Sequence, residues 1–191
     1  MTPLLQFRSA EKSFGGVKAI RCLDLDVPPG VIFGVVGPDG AGKSTMTRLA
    51  MGLIKPDAGE VCLRQEAGYV PQRFSLYVNL TVMENIRLFG ALYGKPRAAV
   101  DEQAAGLLSR MGLWEFRDRL AVNLSGGMKQ KLALAAGIIH RPNALLLDEP
   151  TTGLDPLARR EFWTILYELN AEGVTVLVST PYMDEAELCT D

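Results

Sequence analysis

The chain has 191 residues, of which 48% are hydrophobic, and a formal net charge of −2. That length suits one domain, or one domain with an inserted lobe, and the apolar share is enough for a sizeable core. The acidic balance, with a pI of about 5.5, argues against a nucleic-acid binder, which usually shows a basic face or a basic overall charge. In chain order, LDLDVPPG alternates apolar and polar residues and then turns at Pro28, Pro29 and Gly30, which predicts a half-exposed strand. VIFGVVG is a continuous apolar run ending in Gly37, as a fully buried strand would be. A helix is expected over 44–51. KPDAGEVCLR predicts a turn and a strand, and AGYVPQ a short strand ending near Gln72. Thr81, followed by Glu84, is a capping-box start for an amphipathic helix in LTVMENIRLFGALYG. AAVDEQAAGLLSRMGL predicts a second helix, and a third runs from near Ser125 to near Ile139. ALLLDEP reads as a buried strand. Asp155 then Pro156 is an N-cap and a first-turn proline, opening a helix that ends near Asn170. GVTVLVST is a further buried strand. Buried strands alternating with helices make a parallel α/β sheet. The helices between Thr81 and Leu120 interrupt that alternation and predict an inserted helical lobe.

GPDGAGKST, starting at Gly37, has the spacing of a P-loop. The candidate nucleotide contacts there are Gly37, Asp39, Gly40, Ala41, Gly42, Lys43, Ser44 and Thr45. Backbone N–H groups must wrap a β-phosphate closely, and side chains would obstruct them. Lys43 is placed to neutralise the β and γ oxygens, and the Ser44 hydroxyl to ligate Mg²⁺. The helix that follows adds favourable partial charge at its N-terminus. ALLLDEP puts Asp148 and Glu149 at the carboxyl tip of a buried strand, the edge where parallel sheets bind ligands. Asp148 is the candidate Mg²⁺ holder, and Glu149 the candidate acceptor of a proton from attacking water.

LSGGMKQ, from Leu124 to Gln130, joins the P-loop, Gln72 in YVPQ, the LLLDEP strand and Asp155 in GLD. Together they closely resemble the ATP-binding subunit of ABC transporters, over nearly the whole chain and in the family's order. NLTVMENIRLFGALYG and SGGMKQKLALA look most like the bacterial drug- and polyketide-export type. The resemblance implies an α/β P-loop NTPase fold with a mainly parallel core sheet, a small antiparallel β subdomain and an inserted helical lobe. It implies ATP and Mg²⁺ as ligands and ATP hydrolysis coupled to transport. Phe14, in KSFGG, is similar to the aromatic that stacks on adenine, a role that suits any purine because a ring face is tolerant of base identity. Gln72 resembles the glutamine that reaches Mg²⁺ and the attacking water. Ser125, Gly126 and Gly127 match the signature that grips a γ-phosphate held by an opposite subunit. Ser125 as a helix cap would make such an anion site. Asp155 resembles the residue that communicates across the dimer interface. The implied partners are a second ABC ATP-binding domain, separate or fused C-terminally, and membrane-spanning permease subunits. The chain is then expected in the cytoplasm, peripheral at the membrane through its permease.

In three places the chain departs from the family. Aligning VLVST with the strand that ends in the family's γ-phosphate histidine puts Pro181 in the histidine's place. Proline has no side-chain donor and no N–H. The chain's own P-loop site is therefore expected to bind ATP but hydrolyse it weakly, and the isolated chain to have low activity. Pro181 is instead expected to end its strand and start a helix whose acids, Asp184, Glu185 and Glu187, favour the N-terminal turn. His140, the chain's single histidine, is expected as a solvated loop residue. The connection at 64–67 is shorter than usual, and the chain stops inside the last helix, as a piece of something longer would. The expected organisation is one C-terminally truncated ATP-binding domain over 1–191, with 1–79 and 136–191 as core and 80–135 as the helical lobe.

Cys22, Cys62 and Cys189 are scattered without metal-like spacing and are expected as reduced thiols. No apolar run approaches a membrane span, and MTPLLQFRSAEK lacks the layout of a signal peptide. The alternative function is a soluble ABC ATPase acting on ribosomes or nucleic acid. The acidic pI, the lack of a basic arm and the exporter-like lobe speak against it.

Overall fold

The computed structural model describes residues 2–190. Its contacts divide the chain into two compact units. The first comprises Met1–Gln72, Asn143–Pro150 and Leu169–Asp191, and the second Arg73–Pro142 and Thr151–Glu168.

Two sheets make up the first unit. The antiparallel one, in order β2-β1-β4, is built from β1 (Leu5–Phe14), β2 (Val17–Val27) and β4 (Ala58–Leu63). The parallel one, in order β3-β7-β6-β5, is built from β3 (Ile32–Val36), β5 (Ala67–Val70), β6 (Ala144–Asp148) and β7 (Thr175–Thr180). β6 and β7 are buried at every residue, and their apolar stretches, ALLL and VLV, suit central parallel strands. Helix α1 (Lys43–Ala50) contributes Met46, Leu49 and Ala50 to a core shared with Leu5 and Phe7 of β1 and with Leu146 and Leu177 of β6 and β7. Both sheets and α1 are thus tied to one hydrophobic cluster.

β1 and the first half of β2 went unpredicted. Ser9 and Cys22 sit at φ 44°, in the left-handed region, and the β1–β2 register shifts between Phe7 and Ala10. Bulges of this kind break the two-residue period that marks a strand in sequence. The connection between β4 and β5 holds only Arg64, Gln65 and Glu66.

In the second unit, α2 (Val82–Leu92), α3 (Arg97–Arg110) and α4 (Gly126–Ile138) are joined by most of α5 (Pro156–Ala171). The capping box forms as expected: Glu84 N–H donates to Thr81 Oγ1 at 3.1 Å and Thr81 N–H to Glu84 Oε2 at 2.8 Å. Buried Asn85 holds the preceding loop, donating to the carbonyls of Tyr77, Leu80 and Thr81. α5 is bonded into this unit by two ion pairs. Glu161 accepts from Lys131 at 2.6 Å and Glu168 from Arg110 at 2.8 Å.

His140 is not solvated. It is 4% exposed and stacks on Tyr93, with ring centroids 3.6 Å apart and planes 9° from parallel. Ring-on-ring stacking makes an imidazole an acceptable core group. No helix among the described residues is long and apolar enough to cross a membrane.

Candidate functional site

Parallel registration brings the strand tips of the first unit to one edge. Val36 pairs with Thr180, and Asp148 with Ser179. Gly37, Glu149 and Pro181 therefore all follow directly from strands ending at that edge. The Gly37 N–H donates to the Thr180 carbonyl at 3.3 Å, which ties the start of the loop at 37–45 to the end of β7.

One glycine of the loop is fixed by a neighbouring strand. Gly42 caps α1 at φ 96°, and a Cβ there would meet the Ala19 carbonyl oxygen at 2.4 Å. Only glycine fits that position. Lys43 follows it, is 5% exposed, and donates from Nζ to the carbonyls of Gly37 at 2.7 Å and Pro38 at 3.0 Å. The loop is thus wrapped around its own lysine, which is already aimed into the loop's concavity. Lys43 Nζ also pairs with Glu149 Oε1 at 3.0 Å.

Glu149 is held from several sides. It is 4% exposed, and its backbone sits at φ 50°, a left-handed conformation that costs roughly 1–3 kcal/mol for a residue with a side chain. Its N–H is shared between the Ser179 carbonyl at 3.0 Å and the Ser179 hydroxyl at 3.1 Å. Its Oε2 accepts from Gln72 Nε2 at 2.9 Å. Asp148 Oδ1 accepts from the Ser44 hydroxyl at 3.0 Å and from the Ser179 hydroxyl at 2.8 Å. Lys43, Ser44, Gln72, Asp148 and Glu149 therefore form one hydrogen-bonded set. Tyr69 lies within its field: burial pushes the phenol up, the Asp148 charge adds to the rise, and Arg48 opposes it.

The donor set fits Mg²⁺. Ser44 and Asp148 offer two hard oxygens side by side, and Mg²⁺ takes few protein ligands while phosphates and water complete its shell. Among the described residues no cluster of three or more His, Cys, Asp or Glu gathers around a metal position.

Phe14 ends β1, where it pairs with Val17 across the turn into β2, and it is 50% exposed. A core role for that ring is therefore excluded. Pro181 is half-buried and follows Thr180. The helix after it, α6 (Met183–Ala186), is a single turn. Asp184 and Glu185 stand in its first turn, as expected, and Glu185 is also a core group. It is fully buried and accepts the Thr180 hydroxyl at 2.6 Å.

Ser125, Gly126, Gly127 and Asp155 lie in the second unit. Ser125 caps α4, its hydroxyl accepting from the Met128 N–H at 3.3 Å. A Cβ on Gly127 would press on Ala158 at 3.3 Å, so α4 and α5 approach closely there. Asp155 Oδ1 accepts from the N–H groups of Leu157 and Ala158 at 3.0 and 2.9 Å and so caps α5.

Sequence reasoning missed Ser179. In VLVST it reads as the end of an apolar run. The polar step at the tip of a buried strand was its only signal.

Residues 20–152 match the family model for ABC transporters. The chain belongs to the ABC transporter family. It is an ATP-binding domain of the ABC ATPase type, with the P-loop NTPase fold. It is 44% identical over 202 aligned residues to the "Probable multidrug ABC transporter ATP-binding protein YbhF" of Escherichia coli (strain K12), covering 98% of this chain and 35% of that protein. It is 40% identical to the Nod factor export ATP-binding protein I of Cupriavidus metallidurans, covering 99% of this chain and 67% of that protein. This ABC chain thus spans about a third of the first of these relatives. The YbhF alignment is longer than the 191 residues present, so that relative carries residues without counterpart here. Among solved structures, the ATP-binding cassette MJ0796, a dimer in a post-hydrolysis state bound to ADP and Pi, superposes with a TM-score of 0.86 at 28% identity. That match covers 97% of this chain and 91% of the other.

Proposed function

We propose that this chain is the ATP-binding component of a drug-export-type ABC transporter, working beneath membrane-spanning permease subunits at the cytoplasmic face. The observation that carries the reading is the hydrogen-bonded set of Lys43, Ser44, Gln72, Asp148 and Glu149 at one sheet edge, beside a loop in which a Cβ at Gly42 would clash with the Ala19 carbonyl. The export-type relatives support the substrate class.

The residues then divide the work. The loop N–H groups and Lys43 bind the β- and γ-phosphates, and Phe14 stacks on the base. Ser44 and Asp148 would hold Mg²⁺, with Gln72 reaching the same ion. When bound, that ion neutralises phosphate charge. Glu149 accepts a proton from water, and Gln72, bonded to it, orients the pair. Catalysis of this kind is mostly positioning and charge stabilisation.

Pro181 offers neither side-chain donor nor N–H at the edge where these groups meet. The chain's own P-loop site therefore holds ATP and hydrolyses it slowly. The chain pairs with a second ABC ATP-binding domain that hydrolyses ATP against this chain's Ser125, Gly126 and Gly127, while Asp155 communicates between the two sites. The organisation is one ATP-binding domain with an inserted helical lobe.

A calorimetric ATP titration of the wild type and of Lys43→Ala tests the binding half. Tight binding lost in the variant supports it. Equal affinity in both would overturn the phosphate-loop assignment.

A further inference from the structure

Where β1 outruns its neighbour β4, a side chain takes over the strand's role. The last β1–β4 pair is Glu11 with Ala58, and the Asp57 N–H then donates to the Glu11 carbonyl at 2.8 Å. Beyond that point β1 is paired only with β2, through Ser13 with Lys18 and Phe14 with Val17. On the open side the Asp57 carboxylate substitutes for a backbone partner: Oδ2 accepts the Ser13 N–H at 2.7 Å. Its other oxygen accepts from Lys12 Nζ at 2.6 Å. Lys12 Nζ in turn lies 5.6 Å from the centroid of the Phe14 ring. Asp57 thus fixes the two residues before Phe14 and places a cation against the ring.

We propose that Asp57 and Lys12 are positioning residues for Phe14, setting the orientation in which the ring meets a nucleotide base. This rests on the reading of Phe14 as the base-stacking aromatic. Phe14 is half-exposed at a strand tip with no core to fix it, and stacking needs a ring held in one plane. A carboxylate that holds both a backbone N–H and an ammonium restrains that tip more than a lone surface ion pair would. The Asp57 carboxyl is held below its ordinary range, first by the Lys12 hydrogen bond and then by the Ser13 N–H, so the clamp is charged at neutral pH. Lys12 on the ring also adds a cation–π contact.

The test separates base from phosphates. ATP and inorganic tripolyphosphate are titrated into the wild type, Asp57→Ala, Asp57→Asn and Phe14→Ala. The phosphate loop binds both ligands, and only ATP has a base. Asp57→Ala is expected to weaken ATP by about threefold to tenfold, the scale of a lost charge-assisted contact and the ordering it provides. Tripolyphosphate should bind as before. Asp57→Asn keeps an acceptor for Ser13 and loses the pair with Lys12, so a smaller loss is expected, and this near-isosteric variant decides the matter if the alanine does not fold. Unchanged ATP affinity in both Asp57 variants, with Phe14→Ala weakened, overturns the clamp and leaves the stacking role standing. Unchanged ATP affinity in Phe14→Ala overturns the stacking role itself. An equal loss for ATP and tripolyphosphate in the Asp57 variants also overturns the clamp, since the effect would then run through the phosphate loop.

Discussion

Ser179 Oγ lies 2.8 Å from Asp148 Oδ1 and 3.1 Å from the Glu149 nitrogen. One hydroxyl on β7 therefore donates to one acid of the β6 tip and accepts from the backbone of the next. The left-handed Glu149 is over-determined by this bond, by Lys43 and by Gln72. The acid pair is held by the neighbouring strand, and parallel register decides which residue does the holding.

Ser179→Ala should therefore loosen Asp148 without emptying the phosphate loop. At saturating ATP, the Mg²⁺ concentration giving half-maximal effect is expected to rise about tenfold, the scale of one hydrogen bond to a charged group. ATP affinity without Mg²⁺ should change little. Titrating Mg²⁺ against a fluorescent nucleotide checks both. An unchanged Mg²⁺ midpoint would reduce Ser179 to packing.

Thr81→Ala should destabilise the second unit. It removes the acceptor for the Glu84 N–H and leaves only the bond donated by the residue-81 N–H to Glu84 Oε2. The expected loss is about 1 kcal/mol. Urea unfolding followed by circular dichroism measures it as a lowered midpoint at unchanged slope.

The Arg87–Asp101 pair ties α2 to α3, with Arg87 donating from Nε at 2.6 Å and from NH2 at 3.1 Å. Arg87 holds the Asp101 carboxyl below its ordinary range, with Arg97 adding to the effect. A carboxyl lowered on folding stabilises above its unfolded value of ~3.9, and that stabilisation disappears as pH falls through the folded value. Wild type should thus melt above Asp101→Asn at pH 7, and the two should converge in strong acid. A melting difference that is independent of pH would contradict this.

What the sequence made legible was what is decided locally. Gly40 and Gly42 answer to the left-handed backbone at their own positions, and Thr81 with Glu84 to a single helical turn. The acids at the end of β6 were legible because a buried strand must end somewhere and parallel sheets bind ligands at that end. What stayed hidden depended on distant partners. His140 is buried because Tyr93, far upstream, covers its ring. Ser179 matters because β7 lies beside β6. β1 was invisible because bulges at Ser9 and beyond scrambled its period. Asp57, inside KPDAG, reads as a turn residue, and only the folded sheet sets it against Ser13.

We propose a division of labour in which this chain's P-loop site holds ATP, while its Ser125 end serves a partner's hydrolytic site. The most direct measurement is the steady-state ATPase rate of the complete transporter carrying Ser125→Arg or Glu149→Gln in this chain. Arginine at the α4 cap puts bulk where the partner's γ-phosphate must seat. Under this division, glutamine at 149 alters a site that is already slow. Ser125→Arg is expected to reduce turnover far more than Glu149→Gln does. If Glu149→Gln stops turnover while Ser125→Arg leaves it intact, the division is wrong, and Pro181 is only the end of a strand.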